Sequence, residues 1–232
     1  MFGQIFNNMP PVVKNLLIIN VLFFLATIVM QNQEIFLIQE LGMHYIDSPI
    51  FKPYQIATHF FMHADLFHIF FNMFALVVFG SHLERQWGPK RFLMFYFITA
   101  IGATFLHTLV QGIEIYRITD TFFPVMNDVS LTQADYVKVT TLLYTPSVGA
   151  SGAVYGLIMA FAMLFPNTQF QLLFPPIPIK AKWLAVGLGV LALYQGFKNA
   201  EGDSVAHFAH LGGMLFGFIM IKLWQRNRNQ FY

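Results

Sequence analysis

The sequence predicts an all-α polytopic membrane protein with six transmembrane helices, and three observations support this prediction. Of its 232 residues, 56% are hydrophobic and only 10% are charged, whereas a typical soluble domain carries about 25% charged residues. Hydropathy separates six long apolar segments, and the basic residues are shared unequally between the connections on the two sides. We therefore expect one membrane domain over residues 1–232, with the N- and C-termini both cytoplasmic.

The six predicted spans cover residues 12–31, 59–82, 91–112, 146–165, 182–198 and 205–224. The fourth and fifth are close to the shortest helix that crosses roughly 30 Å of hydrocarbon at about 1.5 Å per residue. We therefore expect both of these helices to lie inside the bundle rather than against lipid.

Basic residues determine the predicted orientation. Nine of the thirteen fall on the side of the N-terminus: Lys14, Arg85, Lys90, Arg91, Lys180, Lys182, Lys222, Arg226 and Arg228. The other four are Lys52, Arg117, Lys138 and Lys198. The positive-inside rule makes the side with nine basic residues cytoplasmic.

The connections differ in character. Residues 32–58 are partly apolar and are expected to lie on the outer membrane surface, whereas residues 113–145 form a polar, exposed outer loop. Residues 166–181 contain four prolines, which exclude a regular helix and favour an extended inner segment.

In this topology the second, fourth and sixth spans all run from the outer to the inner side. Several of their polar residues therefore share a shallow depth in the outer half: His63, His68, Asn72, Ser151, His207 and His210. Polar and ionisable residues inside a membrane are costly, so this group is a hypothesis for a functional site.

Glycine spacing brings two members of the group together. Gly152 and Gly156 form a small-residue strip on the fourth span, and Gly213 with Gly217 forms another on the sixth. Such strips let helix backbones approach closely, which would place Ser151 within hydrogen-bond reach of a histidine. A histidine can then take the serine proton during attack on a carbonyl and return it to the leaving amine.

The resulting oxyanion needs donors, and His68, Asn72 and the backbone N–H of Ser151 are the candidates. We expect Thr145-Pro146 to begin the fourth helix, which would put Ser151 about five residues, or roughly 8 Å, along it. Tyr155 lies one turn below the serine.

Each residue also has a structural interpretation. A serine beside glycine, a lone membrane histidine, Asn72 and Tyr155 are all more often packing or inter-helix contacts than catalytic groups. A metal transporter using His63, His68, His207 and His210 is a further alternative, although the membrane spans lack carboxylates: Glu84 is on the inner side and Asp65 is near the outer surface. The net charge of +2 argues against a nucleic-acid partner.

Three motifs resemble those of the rhomboid family of intramembrane serine proteases. Gly149-Ala150-Ser151-Gly152 is similar to its G-x-S-G motif, and Ala209-His210 through Gly213 and Gly217 is similar to its A-H-x-x-G-x-x-x-G motif. His63, His68 and Asn72 fit its H-x(4)-H-x(3)-N pattern in the second span.

The resemblance implies a six-span rhomboid-like bundle that needs neither cofactor nor metal. It implies Ser151 as nucleophile, His210 rather than His207 as base, and an oxyanion hole of His68, Asn72 and the Ser151 backbone. Tyr155 would stack on His210, with His63, Gly149 and Gly152 in support.

The implied activity is cleavage of single-span membrane proteins, with the site opening to the outer face of a bacterial cytoplasmic membrane. A catalytically silent relative that binds or escorts membrane proteins is the alternative.

Two features depart from or extend the family pattern. Many members carry Trp-Arg in the first outer loop, where this chain has Tyr54-Gln55, so the anchoring of that loop is open. Glu84-Arg85 resembles a charged pair of the family and is expected to form a structural salt bridge.

Overall fold

A computed structural model describes residues 8–124, 131–171, 177–198 and 204–226, with side chains from residue 207 in the last range. The helices are α1 Pro11–Gln31, α2 Leu37–Leu41, α3 Gln55–Thr58, α4 Leu66–Trp87, α5 Pro89–Thr119, α6 Gln133–Tyr144, α7 Ser151–Leu164, α8 Ala181–Phe197 and α9 Ser204–Arg226. Strands β1 Gln169–Gln171 and β2 Pro178–Lys180 pair in antiparallel register. The protein is therefore a helical membrane protein with one small hairpin among the described residues.

In the part of the chain that the structure describes, four helices are long and apolar enough to cross a membrane, namely α1, α4, α5 and residues His207–Arg226 of α9. The helices α7 and α8 are shorter apolar helices of 14 and 17 residues. Helix α7 packs between α5 and α9, and most of its residues are buried.

The expectation that both short helices lie inside the bundle is right for α7 and wrong for α8. Only four residues of α8 are buried, all of them alanine or glycine: Ala181, Ala185, Ala192 and Gly196. Large side chains such as Trp183 and Val190 are exposed on its other faces.

Two predicted span starts are also wrong. Helix α4 begins at Leu66 rather than at residue 59, because the Asp65 carboxylate caps it by accepting the His68 N–H at 2.8 Å. Helix α7 begins at Ser151 rather than at residue 146, and Thr145 instead ends α6. Ser151 is thus the first residue of its helix.

The expected salt bridge of Glu84 with Arg85 is replaced by other contacts. The buried Glu84 carboxylate accepts the backbone N–H groups of Val12 and Val13 at 2.9 and 2.8 Å, which caps the start of α1. Arg85 donates to the Asn8 carbonyl at 3.0 Å. A carboxylate at a helix N-terminus is favourable because it satisfies free N–H groups and opposes the helix dipole.

The second outer connection is more ordered than a polar loop. Helix α5 continues to Thr119 and α6 packs back against it, with a small core of Tyr45, Ile115, Val139, Leu142 and Leu143. The proline-rich inner connection is extended as predicted where the structure describes it, in the hairpin of β1 and β2.

Candidate active site

Ser151 and His210 lie side by side where α7 begins and α9 passes it. Ser151 Oγ is 3.0 Å from His210 Nε2, a hydrogen-bond distance. The Tyr155 ring stacks flat on the imidazole, with centroids 4.1 Å apart and planes 1° apart. The stacked ring holds the imidazole in the plane that directs Nε2 toward the hydroxyl.

His207 lies one turn away on the same helix. Its ring centroid is 6.1 Å from that of His210, at a steep angle of 69°. The hydrogen bond to Ser151 is made by His210, the histidine that the resemblance implies.

Close packing of α7 and α9 makes this contact possible. A β-carbon on Gly213 would overlap the Gly152 carbonyl, and one on Gly217 would lie 2.9 Å from the Gly156 carbonyl oxygen. Gly213 thus packs on the backbone of Gly152, and Gly217 packs on that of Gly156, so the two strips meet as predicted. β-Carbons on Gly152 and Gly156 would in addition meet Ala103 and Thr99 of α5.

His68 reaches the site through Gly149. A β-carbon on Gly149 would lie 2.7 Å from His68 Nε2, and its φ of +120° is a conformation that side chains other than hydrogen disfavour. Glycine is thus required at this position for two reasons, the close approach of His68 and the positive φ. It lets the ring approach the segment leading into Ser151.

The hydrogen bonds of His68 indicate which nitrogen carries its proton. The Ala64 backbone N–H donates to His68 Nδ1 at 3.4 Å. A neutral ring that accepts at Nδ1 carries its proton on Nε2, the nitrogen beside Gly149. His68 therefore presents an N–H donor toward the approach to Ser151, as an oxyanion donor must.

Asn72 and His63 lie around His68. Asn72 is buried and donates through Nδ2 to the His68 carbonyl at 2.9 Å, which uses one of its two amide hydrogens. His63 is fully buried, packs edge-on against the His68 ring at 5.0 Å, and has no hydrogen-bond partner in the described chain.

The segment before Ser151 is held by the first outer loop at two points. Met43 and Ser147 exchange backbone hydrogen bonds of 2.9 and 2.8 Å, and the Gly149 N–H donates to the His59 carbonyl at 2.9 Å. These links fix the backbone of residues 147–149 and so fix where α7 begins.

Gln55 organises that loop from inside. Its buried amide nitrogen donates to the carbonyls of Glu40 and Ile50, and its amide oxygen accepts the N–H of Lys52 at 3.2 Å. Outside, Lys52 Nζ and Glu40 Oε2 form an exposed ion pair at 2.7 Å, which lowers the pKa of Glu40 and raises that of Lys52. A neutral amide thus anchors the loop at the position where the resemblance implies arginine.

A small cavity beside Ser151 includes three polar side chains that sequence reasoning missed. His59, Thr104 and His107 line it together with Gly149 and Ser151. The His59 ring is held by the Gln55 carbonyl at 2.6 Å and by Thr104 Oγ1 at 3.0 Å. Thr104 and His107 were detectable as polar residues within the third predicted span, whereas His59 was assigned to the start of the second.

The metal-transporter alternative finds no support in this arrangement. Within the part of the chain that the structure describes, no three His, Cys, Asp or Glu side chains converge as metal ligands.

The fold and the paired side chains together define a polytopic helical membrane protein with a serine–histidine pair where its central helix begins. The chain belongs to the rhomboid family, because the family model described as the Rhomboid domain matches residues 51–227.

Relatives with the same family name match much of the chain. Rhomboid-like protein 16, chloroplastic, of Arabidopsis thaliana is 23% identical over 94% of this chain and 62% of its own length. Rhomboid protein 1, mitochondrial, of Saccharomyces cerevisiae is 29% identical over 80% of this chain and 46% of its own length. Presenilin-associated rhomboid-like protein, mitochondrial, of Bos taurus is 27% identical over 72% and 36%, respectively.

The chain thus matches less than two thirds of the length of each of these relatives. The names of these relatives place them in chloroplasts or mitochondria. The expectation of a bacterial cytoplasmic membrane therefore has no support in these comparisons.

Proposed function

We propose that this protein is an intramembrane serine endopeptidase that uses Ser151 and His210 as a catalytic dyad. The observation that carries the proposal is the 3.0 Å contact of His210 Nε2 with Ser151 Oγ, under a stacked Tyr155 ring. Membership of the rhomboid family supports it, since serine proteases occur in that family.

In the proposed reaction, Ser151 Oγ attacks the carbonyl carbon of the scissile peptide bond while His210 Nε2 takes its proton. The His68 Nε2–H, the Asn72 amide and the Ser151 backbone N–H stabilise the oxyanion that forms. His210 then gives the proton to the leaving amine, and an acyl-enzyme remains. Water activated by His210 then hydrolyses that ester, and His59, Thr104 and His107 in the cavity beside Ser151 supply polar groups that can hold such a water.

The proposed substrates are single-span membrane proteins cut near their outer ends. The basic residues support a bundle of six spans with both termini cytoplasmic and the serine near the opposite face. A lipid bilayer is the proposed environment, without a metal or cofactor.

A fluorophosphonate probe tests the dyad, because it reacts only with an activated serine. We expect the folded protein to be labelled in detergent and in liposomes, Ser151→Ala to be unlabelled, and labelling of His210→Ala to fall by at least about 100-fold. The matched control is His207→Ala, which removes the neighbouring imidazole and should label within a few-fold of wild type.

The same experiment distinguishes the binding or escort alternative. Folded wild-type protein that no probe concentration labels, and that leaves a membrane-anchored reporter intact, would overturn the protease proposal in favour of a catalytically silent relative.

A further inference from the structure

Helix α5 is longer than a membrane crossing requires. Its 31 residues extend about 46 Å at 1.5 Å per residue, against a hydrocarbon thickness of about 30 Å. Lys90 and Arg91 mark the inner end, so about 20 residues of crossing bring the outer hydrocarbon boundary to the region of Gly112. The rest of α5 continues into the lipid headgroup region.

One face of α5 is apolar and exposed along this whole length. The residues that form it recur every three or four positions: Met94, Ile98, Ile101, Phe105, Leu109, Ile113 and Tyr116. This spacing places them in one stripe of the helix. In a membrane protein, such a continuous unpartnered stripe faces lipid.

After α5 ends, the chain turns back alongside the last turns of that helix. Asp120 adopts a left-handed conformation with φ of +56°, and the ring of Phe122 then stacks on Tyr116 with centroids 4.8 Å apart. Phe122 returns as far as Gly112, where a β-carbon would lie 3.3 Å from its Cδ1. The Tyr45 hydroxyl fixes the turn by donating to the Phe122 carbonyl at 3.1 Å.

The side chains of this turn remain uncovered although its backbone is fixed. Phe123 is 60% exposed, and Tyr116 and Phe122 are exposed beside it. Arg117 is also exposed and has no ion-pair partner within the described residues. The ordered turn thus leaves three aromatic rings and a guanidinium exposed together at the outer end of α5, a combination that suits an apolar and anionic surrounding.

We propose that Tyr116, Phe122 and Phe123 form an aromatic anchor inserted in the outer-leaflet interface of a phospholipid bilayer, with Arg117 pairing a lipid phosphate. The anchor continues the lipid-facing stripe of α5 without a break, which favours lipid over a protein partner. Aromatic side chains are enriched at this depth because they place an apolar ring and a polar edge across the interface.

The anchor bears on the site because α6 packs against the same end of α5. Gln111 Nε2 donates to the Leu142 carbonyl at 2.6 Å, and α6 then leads within a few residues to Ser147 and Ser151. The bilayer surface thus sets the height of the segment above the serine. The inference does not depend on protease activity.

The chain contains no cysteine, so a nitroxide spin label can be placed at any single position. We would label Phe123→Cys in vesicles of phosphatidylcholine and phosphatidylglycerol, and measure its accessibility to oxygen and to a water-soluble nickel chelate. Phe105→Cys on the stripe is the reference for the hydrocarbon, and the exposed Ala134→Cys on α6 is the reference for water.

We expect the label at residue 123 to fall between the two references, nearer to residue 105. Nickel accessibility equal to that of residue 134 would overturn the anchor. Shielding from both oxygen and nickel would also overturn it, because a protein partner or a second copy would then cover the surface.

Arg117→Gln tests the phosphate contact. We expect phosphatidylglycerol to raise the Tm of this variant less than it raises the Tm of wild type. In the control Lys138→Gln, the rise in Tm should equal that of wild type. An unchanged lipid effect in Arg117→Gln would remove the phosphate from the proposal.

Discussion

The helices α7 and α8 are both short and apolar, but the protein uses them in opposite ways. Nine of the 14 residues of α7 are buried, whereas only four of the 17 residues of α8 are. The small residues explain the difference: α7 carries buried ones on several sides, whereas the buried small residues of α8 (Ala181, Ala185, Ala192 and Gly196) lie along one line of the helix. The distribution of small residues around a short helix, rather than its hydropathy, indicates whether protein or lipid surrounds it.

The largest expected difference comes from truncating one leucine on each helix. Leu157→Ala on α7 removes a fully buried side chain and should cost about 2–5 kcal/mol, because it leaves a cavity. Leu191→Ala on α8 affects a side chain that is 48% exposed and should cost less than about 1 kcal/mol. Unfolding of the two variants in detergent measures both losses of stability. Equal losses would contradict the inferred difference between the buried α7 and the exposed α8.

A pair of glycine substitutions tests the helix contacts directly. Gly213→Ala should destabilise the protein by about 1–3 kcal/mol, since its β-carbon would overlap the Gly152 carbonyl. Gly187→Ala on α8 meets no atom within 4 Å and should stabilise by about 0.5–1 kcal/mol through helix propensity. The same thermal unfolding experiment applies, and a stable Gly213→Ala protein would contradict the packing.

The smallest expected effect concerns tyrosines. Tyr155→Leu removes the ring stacked on His210 and should slow probe labelling about 3- to 10-fold, because aromatic pairs contribute about 0.5–1.5 kcal/mol. Tyr155→Phe keeps the stack and should label at nearly the wild-type rate. Tyr194→Leu, on the exposed face of α8, is the matched control; a comparable slowing there would mean that stacking is not the cause.

Sequence patterns anticipated the parts of this molecule that depend on local composition. The spacing of Gly213 and Gly217 correctly indicated that α9 approaches α7, whereas the shared membrane depth of Ser151 and His210 stays a prediction from the basic residues and the apolar runs. The start of α7 was wrong by five residues because Pro146 is a common first residue of a helix. Here the chain instead stays extended up to Gly149, held by residues far away in sequence.

Long-range contacts account for most of what the sequence did not disclose. The role of Gln55 depends on carbonyls that come together only when the loop closes, and His59 gains its position from Thr104 on α5. The exposure of most of α8 depends on which helices surround it. None of these has a signature within one segment, since each is a property of two segments that meet.

The two backbone links into residues 147–149 carry a consequence for how the molecule is made. Met43 and Ser147, like His59 and Gly149, are separated by roughly 100 residues of chain, and closing so long a loop has an entropic cost that only the assembled bundle offsets. Pairs of neighbouring helices such as α8 and α9 close much shorter loops. The backbone entering Ser151 therefore takes its final course late in assembly, after the helices on both sides are in place. A partly synthesised chain thus has the serine but not the surroundings that orient it.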